Sequence, residues 1–132
     1  MRHVLLVCIL CSLSACLLDT ETNGDPLSGT YDLSAWREDG SPETKGWIQI
    51  TMDPDSVLSG TWQLAGVDGD GRLAGRSDGD MISMDLHPGW ADHNFLLHGS
   101  RVNGEMIGSW EFVGFAGPMK SGSFTATRRG TK

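Results

Sequence analysis

Ser121-Gly122-Ser123-Phe124 is the clearest of four short quartets that repeat along the chain. The other three are Ser28-Gly29-Thr30-Tyr31, Ser59-Gly60-Thr61-Trp62 and Ile107-Gly108-Ser109-Trp110. Each places a glycine two residues before an aromatic residue, so in a strand both lie on one face, while small hydroxyl residues mostly fill the other. Glycine inside a strand marks a sharp bend or a close approach of the backbone. Its repetition before a large inward side chain predicts a sheet that curls into a small barrel.

Eight strand-like runs, each bounded by turn residues, follow one another from residue 28 onward. They are predicted near residues 28–36, 46–52, 57–65, 71–76, 80–86, 94–100, 105–113 and 120–128. No stretch after residue 15 sustains a capped helical pattern. The predicted fold is therefore all-β, a small eight-stranded antiparallel up-and-down barrel. A two-sheet β-sandwich is the alternative, since the number of strands does not separate the two.

Alternation within these runs predicts which side chains point into the barrel. The inward set is Tyr31, Leu33, Ile48, Ile50, Met52, Leu58, Trp62, Leu64, Leu73, Ile82, Met84, Leu86, Phe95, Leu97, Met106, Trp110, Phe112 and Phe124.

The connections between the runs predict two unlike ends of the barrel. Connections two, four and six are short and polar, at residues 53–56, 77–79 and 101–104. Connections one, three, five and seven are longer or richer, at residues 37–45, 66–70, 87–93 and 114–119. Alternate connections of an up-and-down barrel lie at opposite ends, so we expect one tight end and one open end that carries the larger loops. Such loops over a rigid scaffold are where function usually resides.

The first 15 residues have the pattern of a targeting segment: Arg2, an apolar run and then small residues. The apolar run is too short to span a bilayer as a helix, which takes about 20 residues. Its end, Leu13-Ser14-Ala15-Cys16, resembles the lipobox of bacterial lipoproteins. The resemblance implies cleavage before Cys16 and lipidation of that cysteine; an ordinary secretory signal is the alternative.

This interpretation divides the chain into a signal peptide (1–15), a lipidated cysteine with a flexible tether (16–27) and one barrel domain (28–132). Leu17 follows the lipidated cysteine, and by resemblance to the sorting rule of diderm lipoproteins this favours the outer membrane, facing the periplasm. In a host without an outer membrane, the same anchor places the domain on the cell surface.

Charge narrows the possible partners. Of 10 basic and 17 acidic residues, only Arg2 lies in the signal peptide, so 9 basic and 17 acidic residues remain, a net charge of −8. This argues against nucleic acid and against an anionic membrane surface as partners. Cys8 and Cys11 leave with the signal peptide and Cys16 is acylated, so no intramolecular disulfide is expected and the fold depends on burial.

The layout from Gly29 to Arg129 resembles the calycin superfamily, the lipocalins and avidins. Lipocalins begin their first strand with Gly-x-Trp and pack a basic residue from the end of the last strand over that ring. Gly29-Thr30-Tyr31 and Arg128 or Arg129 stand in those places, with Tyr in place of Trp. No biotin-site pattern of the avidins can be traced. The resemblance implies a fold and names no ligand.

Four of the predicted inward aromatic residues are candidate walls of a ligand cavity: Tyr31, Trp62, Trp110 and Phe112. The alternative is that they fill the interior, since an eight-stranded barrel is only wide enough for side chains or one small ligand. Near the predicted mouth, Trp36, Trp47, Trp90 and Phe115 are candidate contacts for a ligand or a protein.

The densest group of possible metal ligands is His87, His93 and His98, with Asp85 and Asp92 nearby. Their spacing matches no zinc pattern, so loop histidines in solvent are expected and no metal or cofactor is predicted. The run Asp68-Gly69-Asp70-Gly71 begins like a calcium loop, but Arg72 stands where an oxygen ligand belongs, so it is interpreted as a turn.

Catalytic motifs are lacking: there is no Gly-x-Ser-x-Gly, no His-Glu-x-x-His and no phosphate-binding glycine loop. The chain is therefore predicted not to be an enzyme; the alternative is an enzyme whose catalytic residues come together only in the folded structure. The expected function is that of a lipid-anchored envelope protein whose barrel binds a small apolar ligand in or at its open end. The alternative is a protein-interaction module, an inhibitor or an assembly accessory, that uses the rim loops.

Overall fold

The computed structural model describes residues 27–130, and these form eight β-strands without a helix. The strands are β1 (Gly29–Arg37), β2 (Pro42–Met52), β3 (Val57–Leu64), β4 (Arg72–Asp78), β5 (Met81–Asp85), β6 (Asn94–Val102), β7 (Glu105–Gly114) and β8 (Gly117–Arg128). The predicted signal peptide, Cys16 and the tether up to residue 26 lie outside the described residues, as do residues 131–132.

Each strand pairs antiparallel with the next, and β8 pairs with β1, so the sheet closes into a barrel. The β1–β8 seam runs in register from Tyr31 opposite Arg128 to Arg37 opposite Gly122. This closure confirms the up-and-down barrel and excludes the two-sheet sandwich, since a sandwich leaves its sheets open at the edges.

The barrel interior is filled by the side chains that the alternation predicts. All but two of the inward set are buried, and the exceptions, Met52 and Phe112, are partly buried near the ends of β2 and β7. Leu27, assigned by the sequence to the end of the tether, is fully buried, and the Tyr31 hydroxyl donates a hydrogen bond of 2.7 Å to its carbonyl. The core therefore begins before the first strand.

Three of the quartet glycines lie where neighbouring strands approach closely, as predicted. A Cβ atom at Gly60, Gly108 or Gly122 would lie 1.8, 2.0 or 1.8 Å from a backbone carbonyl oxygen of the adjacent strand. Because no Cβ fits at these distances, glycine permits the tight curvature of a small barrel.

The two ends of the barrel differ less in the lengths of their connections than the sequence predicts. Four residues, 38–41, join β1 to β2, and only residues 115–116 join β7 to β8, so the first and seventh connections are not long loops. The strands extend beyond the apolar pattern because bulges interrupt the alternation at Ala35/Trp36 and at Phe112/Val113 while pairing continues. Residues 65–71 and 86–93 remain as the two long loops, and both lie at the predicted open end.

At the opposite, tight end, Arg128 packs over the first strand's aromatic ring. Its guanidinium carbon lies 5.4 Å from the centroid of Tyr31, and the group donates hydrogen bonds to the Tyr31 hydroxyl at 3.0 Å and to the Ser28 carbonyl at 2.9 Å. Arg129 instead forms an ion pair with Asp32 on the outside. The contact of Arg128 with Tyr31 joins the last strand to the first beside the closing seam.

Candidate functional site

A cleft of about 290 Å³ opens at the mouth of the barrel, between the loops 65–71 and 86–93 and the upper ends of β2, β7 and β8. We call it the mouth cleft. Its lining residues are Glu43, Gly66, Val67, Asp68, His87, Trp90, His93, Phe95, Phe112 and Lys120. Aromatic and aliphatic side chains with a few polar groups at the edge are the composition of small-molecule sites.

His87 holds the two long loops together. It is 2% exposed; its Nδ1 lies 2.8 Å from the His93 carbonyl oxygen and its Nε2 lies 2.6 Å from the Asp68 carbonyl oxygen. The ring thus lies between backbone carbonyls of both loops, and its N–H can donate to one of them. The ring stacks on Trp90 with centroids 4.1 Å apart and meets the edge of Trp62 at 5.7 Å. This histidine thus supports the wall of the cleft from within.

Loop 65–71 reaches His87 because residue 69 has no side chain. A Cβ at Gly69 would lie 2.8 Å from the ring of Trp62 and 2.9 Å from the ring of His87. The far side of this loop is fixed by Asp70, which accepts hydrogen bonds from the Arg72 amide and guanidinium at 3.0 and 2.9 Å. These bonds lower the pKa of the Asp70 carboxyl below its ordinary value.

Loop 86–93 is shaped by hydrogen bonds within it and with Asp85 and Asn94, the strand residues at its two ends. Asp85 accepts from the His87 amide at 2.8 Å through one oxygen and from the Asn94 amide group at 2.8 Å through the other. The Trp90 amide donates to the His87 carbonyl at 3.1 Å and closes a turn through Pro88 and Gly89. The turn brings Trp90 back over the His87 ring, where it is 41% exposed and forms one side of the cleft.

One edge of the cleft is charged. Arg37 donates a hydrogen bond to the carboxylate of Glu43, which raises the pKa of the guanidinium, and the Lys120 ammonium lies 4.0 Å from the same carboxylate. Glu43 is largely covered, whereas the Lys120 side chain is 55% exposed. Lys120 is therefore the group at this edge that can turn toward a bound molecule.

Three of the four cavity candidates lie in the packed interior. Each of them bonds its polar atom to backbone: Tyr31 as described above, Trp62 through its Nε1, 2.8 Å from both the Arg72 and Leu86 carbonyls, and Trp110 through its Nε1, 2.8 Å from the Trp36 carbonyl. Trp110 also stacks on Phe95 at 5.2 Å. Phe112 is the member of the four that reaches the mouth cleft, where it contacts His93 at 5.6 Å between centroids.

The four rim candidates are not brought together either. Trp90 lines the mouth cleft, and Phe115, 85% exposed, is at the tip of the β7–β8 turn. Trp36 and Trp47 are half-buried on the outer wall, with Trp47 opposite Asp32 and Gln63 in the middle of the sheet. Outward-facing positions of the strands carry them away from the cleft.

The side chains of the three histidines have different polar partners. Both ring nitrogens of His87 face carbonyl oxygens, His93 pairs with Asp92 at 3.0 Å, and His98 lies on β6 with its Nδ1 3.1 Å from the Ser83 hydroxyl. No cluster of histidine, cysteine and carboxylate groups suited to a metal occurs within residues 27–130.

Sequence reasoning missed the charged edge and the role of His87. Glu43 and Lys120 are on strands that are not neighbours in the chain, and the barrel closure through β1 brings them together. His87 directly follows the inward Leu86, at a position that the alternation of β5 assigns to the outer face, so no local pattern marks it as buried. Val67 is a large apolar side chain in the loop 65–71. In the sequence it is the local indication that this loop contacts the core.

No protein-family model matches this chain, and no curated protein matches it significantly. Among residues 27–130, no helix is long and apolar enough to cross a membrane.

Proposed function

We propose that this chain is a lipid-anchored protein of the bacterial cell envelope, without catalytic activity, whose barrel binds a small apolar ligand at its open end. The mouth cleft is the observation that supports this function. It combines Trp90, Phe112 and Phe95 with a charged edge at Glu43 and Lys120 in one concave site. Concave, mostly apolar sites with few polar groups are where small molecules bind.

The filled interior supports a site at the mouth in preference to one inside the barrel. Trp62, Trp110 and Tyr31 are at most 5% exposed, and their polar atoms are already bonded to backbone. A ligand that displaced them would leave buried donors unsatisfied, at roughly 1–3 kcal/mol each. A ligand can enter the mouth cleft above these residues without breaking any of these hydrogen bonds.

The dimensions and lining of the cleft suit a compact molecule of one or two rings. Its flat body would lie against Trp90 and Phe112, and a single polar or anionic group would point to the exposed ammonium of Lys120. A long acyl chain does not fit a cleft of about 290 Å³ whose floor is the packed core.

Native mass spectrometry of the intact lipoprotein, released in mild detergent, tests this function. We expect a reproducible extra mass that disappears on denaturation. Trp90→Ala and Phe112→Ala should lose it, because each removes one aromatic wall, while Trp47→Ala on the outer wall should retain it. A bare protein mass, or retention of the ligand in both cleft variants, would contradict binding at the mouth.

A protein-interaction module is the second candidate, because the β7–β8 tip is strongly apolar and exposed. Phe115 is 85% exposed and Met119 is 59% exposed, on the rim beside the mouth cleft. Exposed aromatic residues at a rim are typical anchors of protein contacts. Crosslinking from a probe at residue 116 in the native envelope, compared between chains that carry Phe115 and chains that carry Phe115→Ser, distinguishes the two functions: a single partner lost in the variant supports the second.

A further inference from the structure

The outer wall carries a second concave site that shares no lining residue with the mouth cleft. It is a groove of about 580 Å³ over β7, β8 and β1. Its floor is made of small residues, Ser109, Ser123 and Gly122, and Trp36 stands at one side. At Gly122 a Cβ would lie 1.8 Å from the Trp36 carbonyl oxygen, so this part of the floor carries no side chain.

Strand register arranges the groove in rows. Trp36 lies opposite Ser123, and Ser123 lies opposite Ser109, so an indole and two hydroxyls form one row across three strands. Two strand spacings make this row about 10 Å long. The next row holds Glu111 opposite Ser121. The Trp36 backbone is fixed, since its carbonyl accepts the Trp110 Nε1 hydrogen bond at 2.8 Å.

Several polar groups of the groove are free to bind. Within residues 27–130, no hydrogen bond or ion pair engages the hydroxyls of Ser109 and Ser123 or the carboxylate of Glu111. Glu38 accepts a hydrogen bond from Ser121, and Arg37 is paired with Glu43 outside the groove. The site thus offers an aromatic face, hydroxyls that both donate and accept, and an acceptor-only carboxylate.

These groups complement a sugar ring. A pyranose has an apolar face of C–H bonds that packs on an indole, and hydroxyl groups around its edge that donate to carboxylates and exchange hydrogen bonds with serines. A purely apolar ligand would bury the free serine and glutamate groups without partners, which is unfavourable. The carboxylates of Glu38 and Glu111 disfavour an anionic ligand. We propose that this groove binds a neutral oligosaccharide, with one ring on Trp36 and the next over Ser123 and Ser109.

Titration calorimetry of the mature protein with cellotetraose and with chitotetraose tests the proposal. We expect at least one of these neutral β-linked oligosaccharides to bind, with an affinity that changes little with added salt, because the ligand carries no charge. Trp36→Ala should weaken binding at least about tenfold, which corresponds to about 1.4 kcal/mol. That variant keeps the backbone carbonyl that holds Trp110. Trp47→Ala, which removes another half-buried tryptophan of the outer wall, is the matched control and should bind like the wild type.

Ser123→Val and Glu111→Gln provide independent variants, with folding checked by circular dichroism. Valine suits a strand but fills the floor and removes a hydroxyl, so binding should fall even if Trp36→Ala fails to fold. Absence of binding to both oligosaccharides would overturn the proposal. So would unchanged affinity in Trp36→Ala and Ser123→Val, or loss of binding in Trp90→Ala alone, which would move the sugar to the mouth cleft. The mass-spectrometric test of the mouth cleft is unaffected by any of these outcomes.

Discussion

Side chains fill the interior of this barrel, whereas the interior of a carrier holds its ligand. Trp62 was predicted to face inward and does so, but its indole nitrogen is held between the carbonyls of Arg72 and Leu86 at 2.8 Å. A ring fixed in this way by the first residue of β4 and the residue after β5 serves the packing of the core. Phe112 lies at the upper end of β7, is only partly buried and lines the mouth cleft, so it can contact a ligand.

Replacing Trp62 by Ala should destabilise the protein by about 3–5 kcal/mol, because it removes a large buried side chain and leaves a cavity. Trp62→Phe should cost less, since most of the ring volume remains and chiefly the hydrogen bonds are lost. Urea unfolding of both variants measures the difference. A loss of ligand with unchanged stability in Trp62→Ala would show instead that Trp62 lines a ligand cavity.

His87 is the residue on which the mouth depends. His87→Phe keeps a flat ring against Trp90 and Trp62 but removes the ring nitrogens that face the carbonyls of Asp68 and His93, so the hydrogen bonding between the loops is lost. We expect a loss of about 1–3 kcal/mol in the free energy of unfolding. Amide exchange in residues 65–71 and 86–93 should become faster, as measured by hydrogen–deuterium exchange.

His98→Phe is the control for this variant, since His98 is exposed on the outer wall. Its effect should stay within about 0.5 kcal/mol, as for most surface changes. Equal exchange rates of the two loops in His87→Phe and in the wild type would contradict the role that we assign to His87.

At the scale of the strands, the seam between β1 and β8 is one of the closest contacts of the barrel. Gly122→Ala would place a Cβ 1.8 Å from the Trp36 carbonyl oxygen and 2.7 Å from the Trp110 indole nitrogen. Because one of the clashing groups is backbone, the strands must separate, and we expect severe destabilisation or failure to fold. Thermal unfolding followed by circular dichroism measures it.

Gly130→Ala is the matched control, since a Cβ there meets no atom within 4 Å. It should unfold like the wild type. A Gly122→Ala variant that unfolds at the same temperature as Gly130→Ala would contradict the close packing of the seam.

The strands also show what the sequence predicts and where the prediction ends. The alternation of apolar residues predicts the eight strands and their inward faces correctly, because burial repeats with period two along each strand. The glycine–aromatic quartets predict the closed barrel correctly. β2 and β8 begin at residues 42 and 117, before the predicted starts at residues 46 and 120, because pairing continues past the bulges at Ala35/Trp36 and Phe112/Val113, so two connections were predicted too long. The mouth cleft depends on contacts such as Glu43 with Lys120, which only the closure of the sheet produces.

For the whole molecule, the anchor proposed at Cys16 and the topology together determine an orientation. The first strand begins at the tight end, so the tether would leave there, and the mouth cleft would face away from the membrane. Access to the ligand site would then be from the aqueous side.

Cys16→Ser should release the protein from the membrane fraction, because the residue that we propose to carry the lipid is lost. Cell fractionation and immunoblotting measure this release. Cys8→Ser and Cys11→Ser lie in the predicted signal peptide and are the controls, which should remain with the membrane. Retention of Cys16→Ser on membranes would contradict the anchor.

The pairing of the first strand with the last has a consequence for the timing of folding. Tyr31 and Arg128 are 97 residues apart in sequence, and the barrel closes only when these distant segments meet. Long-range pairing of this kind slows folding, because the chain must be ordered over a large loop before the contact is made. A chain synthesised from its first residue onward cannot complete its sheet until β8 has emerged. Until then the uncovered edge of β1 is open to pairing with other chains, so we expect the incomplete barrel to be prone to aggregation.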